Sequence, residues 1–165
     1  MAHVLIAGMT MSGKTTLATR LAHQYKVRGV EPIILDPMRD PRWPSEYLFT
    51  DSRQFLELCA KSTHCALFLD ESGDTIGRYN DEMFWLATKA RHYGHRSHFI
   101  CQRPSQLSPT VRTQCSYMYL FNVGISDAKI LADEWGKPEL REANTLGRGE
   151  YFAVERFGPL QRSKI

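Results

Sequence analysis

The chain has 165 residues, 42% hydrophobic and 24% charged, a balance that suits one globular unit able to bury a sizeable core. No apolar run approaches the ~18 residues of a membrane span, and MAHVLIAGMT lacks the basic flank of a signal peptide. The formal charge of +3 leans toward a polyanionic partner without deciding for one.

Residues 4–7 (VLIA) predict a buried strand. After a glycine-bearing turn, Leu17, Leu21 and Tyr25 share one face of a helix that stops at Gly29. PIIL (32–35) is a second strand, and Pro32, Pro37, Pro41 and Pro44 mark an ordered loop after it. Residues 52–60 predict a helix capped by Asp51, and CALFLDE (65–71) a strongly apolar strand ending in two acids. Residues 80–93 form an amphipathic helix ending at Gly94, with Phe84, Trp85 and Leu86 read as core. SHFICQ (97–102) and YMYLFN (117–122) are strands, 126–135 a helix, and YFAVERF (151–157) a last strand before a polar, basic tail. Cys59, Cys65, Cys101 and Cys115 lack CxxC spacing and read as reduced core thiols.

Apolar strands separated by helices predict a mainly parallel α/β sheet covered on both faces, over residues 1–165 as a single domain. No repeat, low-complexity tract or linker divides it. Right-handed crossovers put the strands' C-terminal ends on one rim, where ligands of open α/β sheets bind. Gly8, Asp70 with Glu71, and Gln102 all fall just past strand ends and are expected to meet there.

The turn GMTMSGKT matches the phosphate-cradle pattern Gly-x4-Gly-Lys-Thr in full. Backbone N–H groups from Gly8, Met9, Thr10, Met11, Ser12, Gly13, Lys14, Thr15 and Thr16 would turn toward phosphate oxygens at a helix N-terminus. Lys14 would reach the β- and γ-phosphates of ATP, and the Thr15 hydroxyl would ligate Mg²⁺. Lys14 reads as the only positive charge in the cradle, solvent-facing without nucleotide. Asp70 fits the acid that holds the magnesium, and Glu71, one residue on, would face the other way and polarise an attacking water. Gln102 would sense the γ-phosphate or orient that water. Arg91 and Arg96 flank Gly94 and are candidates for an arginine finger offered to a neighbouring subunit. His92, His95 and His98 lack the acidic or cysteine companions of a zinc site.

In this order, GMTMSGKT, ALFLDE, ARHYG and HFICQRPSQL resemble the FtsK–HerA superfamily of P-loop ATPases over about residues 3–123. The similarity extends to two virus-associated branches: genome-packaging ATPases of tailless, internal-membrane viruses, and zonula-occludens-toxin-like assembly proteins of filamentous phages. The second branch usually carries a membrane span and a periplasmic part, which this chain lacks, so packaging is favoured. The resemblance implies a RecA-like P-loop NTPase core that hydrolyses ATP with Mg²⁺ in a homo-oligomeric, hexameric ring. It further implies double-stranded DNA in the channel, capsid-vertex or portal proteins as partners, and a place in the host cytoplasm at the virion or procapsid vertex. Arg78 and Tyr79, a basic residue beside an aromatic, are candidate DNA contacts. The rival readings are a filamentous-phage-type export ATPase, a small-molecule P-loop kinase, and a nucleotide-binding scaffold without turnover.

Overall fold

The first strand, β1 (His3–Ala7), is buried along its whole length, because it lies mid-sheet with a partner on each edge and a packed layer on each face. The computed structural model describes residues 2–70 and 80–165. In chain order β1 is followed by α1 (Lys14–Val27), β2 (Pro32–Leu35), β3 (Leu48–Phe49), α2 (Ser52–Lys61), β4 (Ala66–Asp70) and α3 (Asn80–Thr88). Then come β5 (Arg96–Cys101), α4 (Pro109–Gln114), β6 (Cys115–Leu120), α5 (Ile125–Trp135), β7 (Glu150–Glu155) and β8 (Leu160–Lys164). The strands form one eight-stranded sheet in the order β3-β2-β4-β5-β1-β6-β7-β8. From β3 to β6 every pairing is parallel, and only β7 and β8 pair antiparallel. This is the mainly parallel α/β sheet that the apolar strands predict.

Side chains alternate across the strands and split the core into two layers. Val4, Ile6, Phe68 and Ile100 face α1, where they meet Leu17, Ala18 and Ala22. Leu5, Leu67, Leu69 and Phe99 face the opposite layer, with Phe55 of α2, Leu86 of α3, Val111 of α4 and Leu131 of α5. By the same alternation Asp70 and Gln102 stand on the α1 side, in step with Phe68 and Ile100. The predicted α2 cap is present: the Asp51 side chain accepts from Arg53 N.

Four expectations need correction. The basic tail is not a tail but β8, paired with β7 from Glu150↔Lys164 to Val154↔Leu160. Because β7 runs antiparallel to β6, its C-terminal end lies at the far rim, and the turn before β7 lies at the cradle. The helix predicted over 80–93 ends at Thr88 and gives way to a 3-10 turn, Ala90–Tyr93. Of its three predicted core residues, Leu86 is 1% exposed, Trp85 is partly buried, and Phe84 is 49% exposed. The two-residue β3 and the six-residue α4 were not foreseen, since neither is long enough to show a period.

Burial pushes the Cys59 and Cys115 thiols up to about 12, so they act as packing groups. The histidines hold backbone. His95 Nδ1 accepts from Cys65 N, and His98 Nδ1 donates to Leu67 O at 3.0 Å. Burial, the largest cause, lowers the His98 pKa to about 3, and its ring stacks on Phe68.

Candidate functional site

The turn after β1 is pinned between its neighbours. Gly8 N donates to Cys101 O at the end of β5, and Met9 N donates to Asn122 O beyond β6. Gly8 has no room for a side chain: a Cβ there would lie 2.5 Å from Phe121 Cβ and 2.6 Å from Ser12 Oγ. Gly13 adopts φ 117°, where an L-residue is strained, and a Cβ would also meet Ile165 Cδ1. Met11 accepts φ 65°, so the loop turns through left-handed backbone before α1 begins at Lys14. Gly8 N, Met9 N and Ser12 N, expected among the phosphate donors, are spent on the carbonyls of Cys101, Asn122 and Met9. It is the start of α1, residues 13–16, that offers the helix N-terminal donors suited to a phosphate chain.

Lys14 differs from its expected pose. It is 9% exposed, and Nζ donates to Gly8 O at 2.6 Å and to Met9 O at 3.1 Å. Burial lowers its pKa, opposed chiefly by the charge of Asp70. The ammonium is therefore stored against the cradle's own carbonyls rather than in solvent.

Thr15 Oγ1 donates to Asp70 Oδ2 at 3.4 Å, which joins the start of α1 to the end of β4. Gln102 lies past β5, the strand between β4 and β1, and lines one cavity with Lys14, Thr15, Asp36, Asp40 and Asp70. Among the described residues no group of three or more histidine, cysteine or acidic side chains could cage a metal. One carboxylate facing one hydroxyl, both hard oxygens with an open side, fits magnesium, which keeps waters and takes phosphate oxygens for the rest of its shell.

Burial, then the neighbouring Asp36 charge, raises the Asp70 pKa from 3.8 to about 6. Asp36 itself is saturated: its carboxylate accepts from Met38 N, Asp40 N and Trp43 Nε1 and so folds the proline-rich loop. Between its unfolded value near 3.8 and about 6, native Asp70 holds a proton that the unfolded chain has lost. Magnesium-free stability therefore falls as pH rises through that window, and the deficit persists above it. Asp70→Asn is expected to stabilise the magnesium-free protein at neutral pH by about 1–2 kcal/mol while weakening magnesium-dependent nucleotide binding. Melts at pH 5 and 7.5 without magnesium, beside a magnesium titration, test it; equal wild-type and mutant melts at both pH values would refute it.

Glu71, Arg78 and Tyr79 lie outside the described residues. Arg91 and Arg96 stand at the opposite rim, where β5 begins, and do not meet the cradle of their own chain. Arg91 is exposed and donates to Gln114 Oε1. Arg96 is turned inward, over the Tyr117 ring. Two further arginines differ in kind. Arg112 is buried and donates to Glu134, Pro104 O and Leu107 O, which fixes the turn after Gln102. Arg103 is mostly exposed beside Asp127.

The cradle is also more basic than the sequence suggests. Arg42, Arg148 and Lys164 join Lys14 in lining a cavity of about 590 Å³ over residues 11–16. Arg42 donates to Thr16 Oγ1 and grips both Asp40 oxygens. No motif marks these positions; the Pro-rich loop and the β7–β8 hairpin carry them in from far along the chain.

No protein-family model and no curated protein matches this sequence. Solved structures do. The genome packaging NTPase B204 of Sulfolobus turreted icosahedral virus 2, in complex with AMPPCP, superposes with a TM-score of 0.78 at 15% identity, covering 99% of this chain and 97% of that one. The chain has the RecA-like P-loop ATPase fold that these structures share. B204 of Sulfolobus turreted icosahedral virus, a DNA-packaging ATPase, gives 0.77 at 18% identity, with 99% and 97% covered. The pCW3 conjugation coupling protein TcpA gives 0.72 at 14% identity, and there the match takes in 99% of this chain but 59% of the other. Within this P-loop ATPase fold, the rim that carries Lys14, Thr15, Asp70 and Gln102 is the one built from the C-terminal ends of β1, β4 and β5. No helix among the described residues is long and apolar enough to cross a membrane.

Proposed function

We propose that the chain is a magnesium-dependent ATPase that moves double-stranded DNA, working as the motor that packages a viral genome into a preformed capsid. The observation that carries this reading is the juxtaposition of Thr15 and Asp70 under the Lys14 cradle, with Gln102 on the same cavity. The packaging NTPases that share the fold over nearly the whole of both chains support the DNA and viral parts of the reading. Activity belongs to a homo-oligomeric ring, a hexamer by resemblance, at the capsid vertex in the host cytoplasm, with Arg78 and Tyr79 offered to DNA.

In this mechanism the backbone donors at the start of α1, residues 13–16, hold the phosphate chain of ATP. Lys14 leaves the carbonyls of Gly8 and Met9 for the β- and γ-phosphates, a short exchange since its Nζ already lies at the loop. Thr15 and Asp70 hold magnesium, which supplies charge neutralisation on the phosphate oxygens. Gln102 orients a water, and Glu71 takes its proton as the water oxygen bonds to the γ-phosphorus and the bond to the ADP oxygen breaks. Of the two candidate fingers, Arg91 is the exposed one, and reaching a neighbour's γ-phosphate would cost it only the exposed hydrogen bond to Gln114.

Lys14→Ala is expected to leave the fold intact and weaken Mg-ATP binding by about one to two powers of ten, the scale of a charged hydrogen bond. Calorimetric titration beside a circular dichroism melt reads both quantities; wild-type affinity would remove Lys14 from the site. The function itself is tested by phosphate release with and without double-stranded DNA. DNA-stimulated hydrolysis supports the motor, phosphate transfer to a metabolite would make the chain a kinase, and binding without turnover would make it a scaffold.

A further inference from the structure

Two of the cavities that border the cradle, the two that share Lys14 and Thr15, have opposite character. One, of about 380 Å³, is lined by Asp36, Asp40, Asp70 and Gln102 beside Lys14 and Thr15. The other, of about 590 Å³, spans Met11 to Thr16 and is closed by Arg42, Arg148 and Lys164, with no acidic side chain in its wall among the described residues. Lys14 and Thr15 are shared by both, so a phosphate chain lying in the cradle has one end toward carboxylates and the other toward cations.

The basic wall is held firmly to the cradle. Gly149 N donates to Ser12 O at 3.0 Å, and Ile165 N donates to Gly149 O at 2.9 Å. Ile165 Cδ1 would lie 2.6 Å from a Cβ on Gly13, so the end of β8 sits directly on the loop. At its other end the hairpin is anchored by Arg156, which donates to Cys115 O and Arg112 O and lies 4.1 Å over the Trp135 ring. Arg148 and Lys164 are exposed at the mouth, and neither is in an ion pair among the described residues. Arg42, by contrast, is already committed to Asp40 and Thr16.

We infer that Arg148 and Lys164 bind the nucleoside end of the nucleotide, at the α-phosphate, and thereby fix which way ATP lies in the cradle. This rests on the nucleotide reading above. The charge asymmetry supplies the reason. Magnesium and the attacked γ-phosphoryl group need the carboxylates and Gln102, which occupy the first cavity. The α-phosphate keeps its negative charge throughout the reaction and gains from cations that need not move. The two residues come from the β7–β8 hairpin, so the C-terminal strand pair acts as a wall of the binding site in the same chain, distinct from a finger supplied by a neighbour.

The test is titration of wild type, Arg148→Ala and Lys164→Ala with ATP and with ADP in magnesium. Each variant is expected to bind both nucleotides about tenfold more weakly, by the same factor for each, since both carry the α-phosphate. Arg148→Lys and Lys164→Arg should recover most of the loss, because they keep the charge, whereas a damaged hairpin would not be rescued this way. Loss confined to ATP would overturn the assignment and place these cations at the γ-phosphate. Unchanged affinity in both variants, with a wild type that binds, would also overturn it while leaving the nucleotide reading intact. A wild type that binds neither nucleotide would remove both.

Discussion

Mixed rings of Arg91→Ala and Glu71→Gln subunits are expected to hydrolyse ATP although each variant alone does not. A guanidinium on the transferring γ-phosphoryl group is typically worth about 10³–10⁵ in rate, so Arg91→Ala alone should lose turnover by that order with ATP binding nearly unchanged. Among the described residues Lys14 is the one cation lining the acidic cavity, where Asp36, Asp40, Asp70 and Gln102 stand, and Arg42 nearby is committed to Asp40. Arg91, at the far rim of the sheet, reaches such a site only in another subunit. In a mixed ring some boundaries pair an intact Glu71 with an intact Arg91 across the interface, and partial activity returns. An arginine acting within its own chain cannot complement in this way, because each active site would still lack one group. If the mixture stays inactive despite proven co-assembly, the trans assignment of Arg91 fails. Arg96 and then Arg103 would be tested next; Arg112 would not, because its guanidinium is spent on Glu134 and two backbone carbonyls.

Glu71→Gln is expected to retain ATP binding and lose hydrolysis by at least about 100-fold, the lower scale for a positioned general base. The amide keeps the size of the side chain but takes up no proton. The expectation comes from the sequence, in which Glu71 directly follows the acid that faces Thr15. Single-turnover hydrolysis beside nucleotide titration separates chemistry from binding. Normal turnover in the variant would move the base elsewhere, with Gln102 then reduced to orienting a water activated by another acid.

Elements around the cradle differ in how far the chain alone reveals them. Lys14, Thr15, Asp70 and Gln102 are readable in the chain because a phosphate cradle needs glycines and a helix start at fixed local spacing, and because apolar strands announce their own ends. PIIL and ALFLD differ from their predicted limits by little for the same reason: a strand buried on both faces has few polar residues to blur it. β8 was not readable. LQRSK is exposed along most of its length, so it carries neither an apolar run nor a full alternation, and it is a strand only because β7 offers it an edge.

The sequence by itself determined the parallel sheet, the glycine-bearing turn before α1 and the place of Asp70 at the tip of β4, since each follows from contacts within a few residues or from the period of burial. Only the tertiary structure decided the charge around the cradle. Arg42 arrives through the Asp36-centred loop, and Arg148 and Lys164 through an antiparallel hairpin whose two ends meet Ser12 and Gly13. It also turned Lys14 inward onto Gly8 and Met9 and raised Asp70 by burying it near Asp36. Local spacing cannot show such effects, because electrostatic energy depends on distance through space and on exclusion of water, and both are fixed only when the sheet order is.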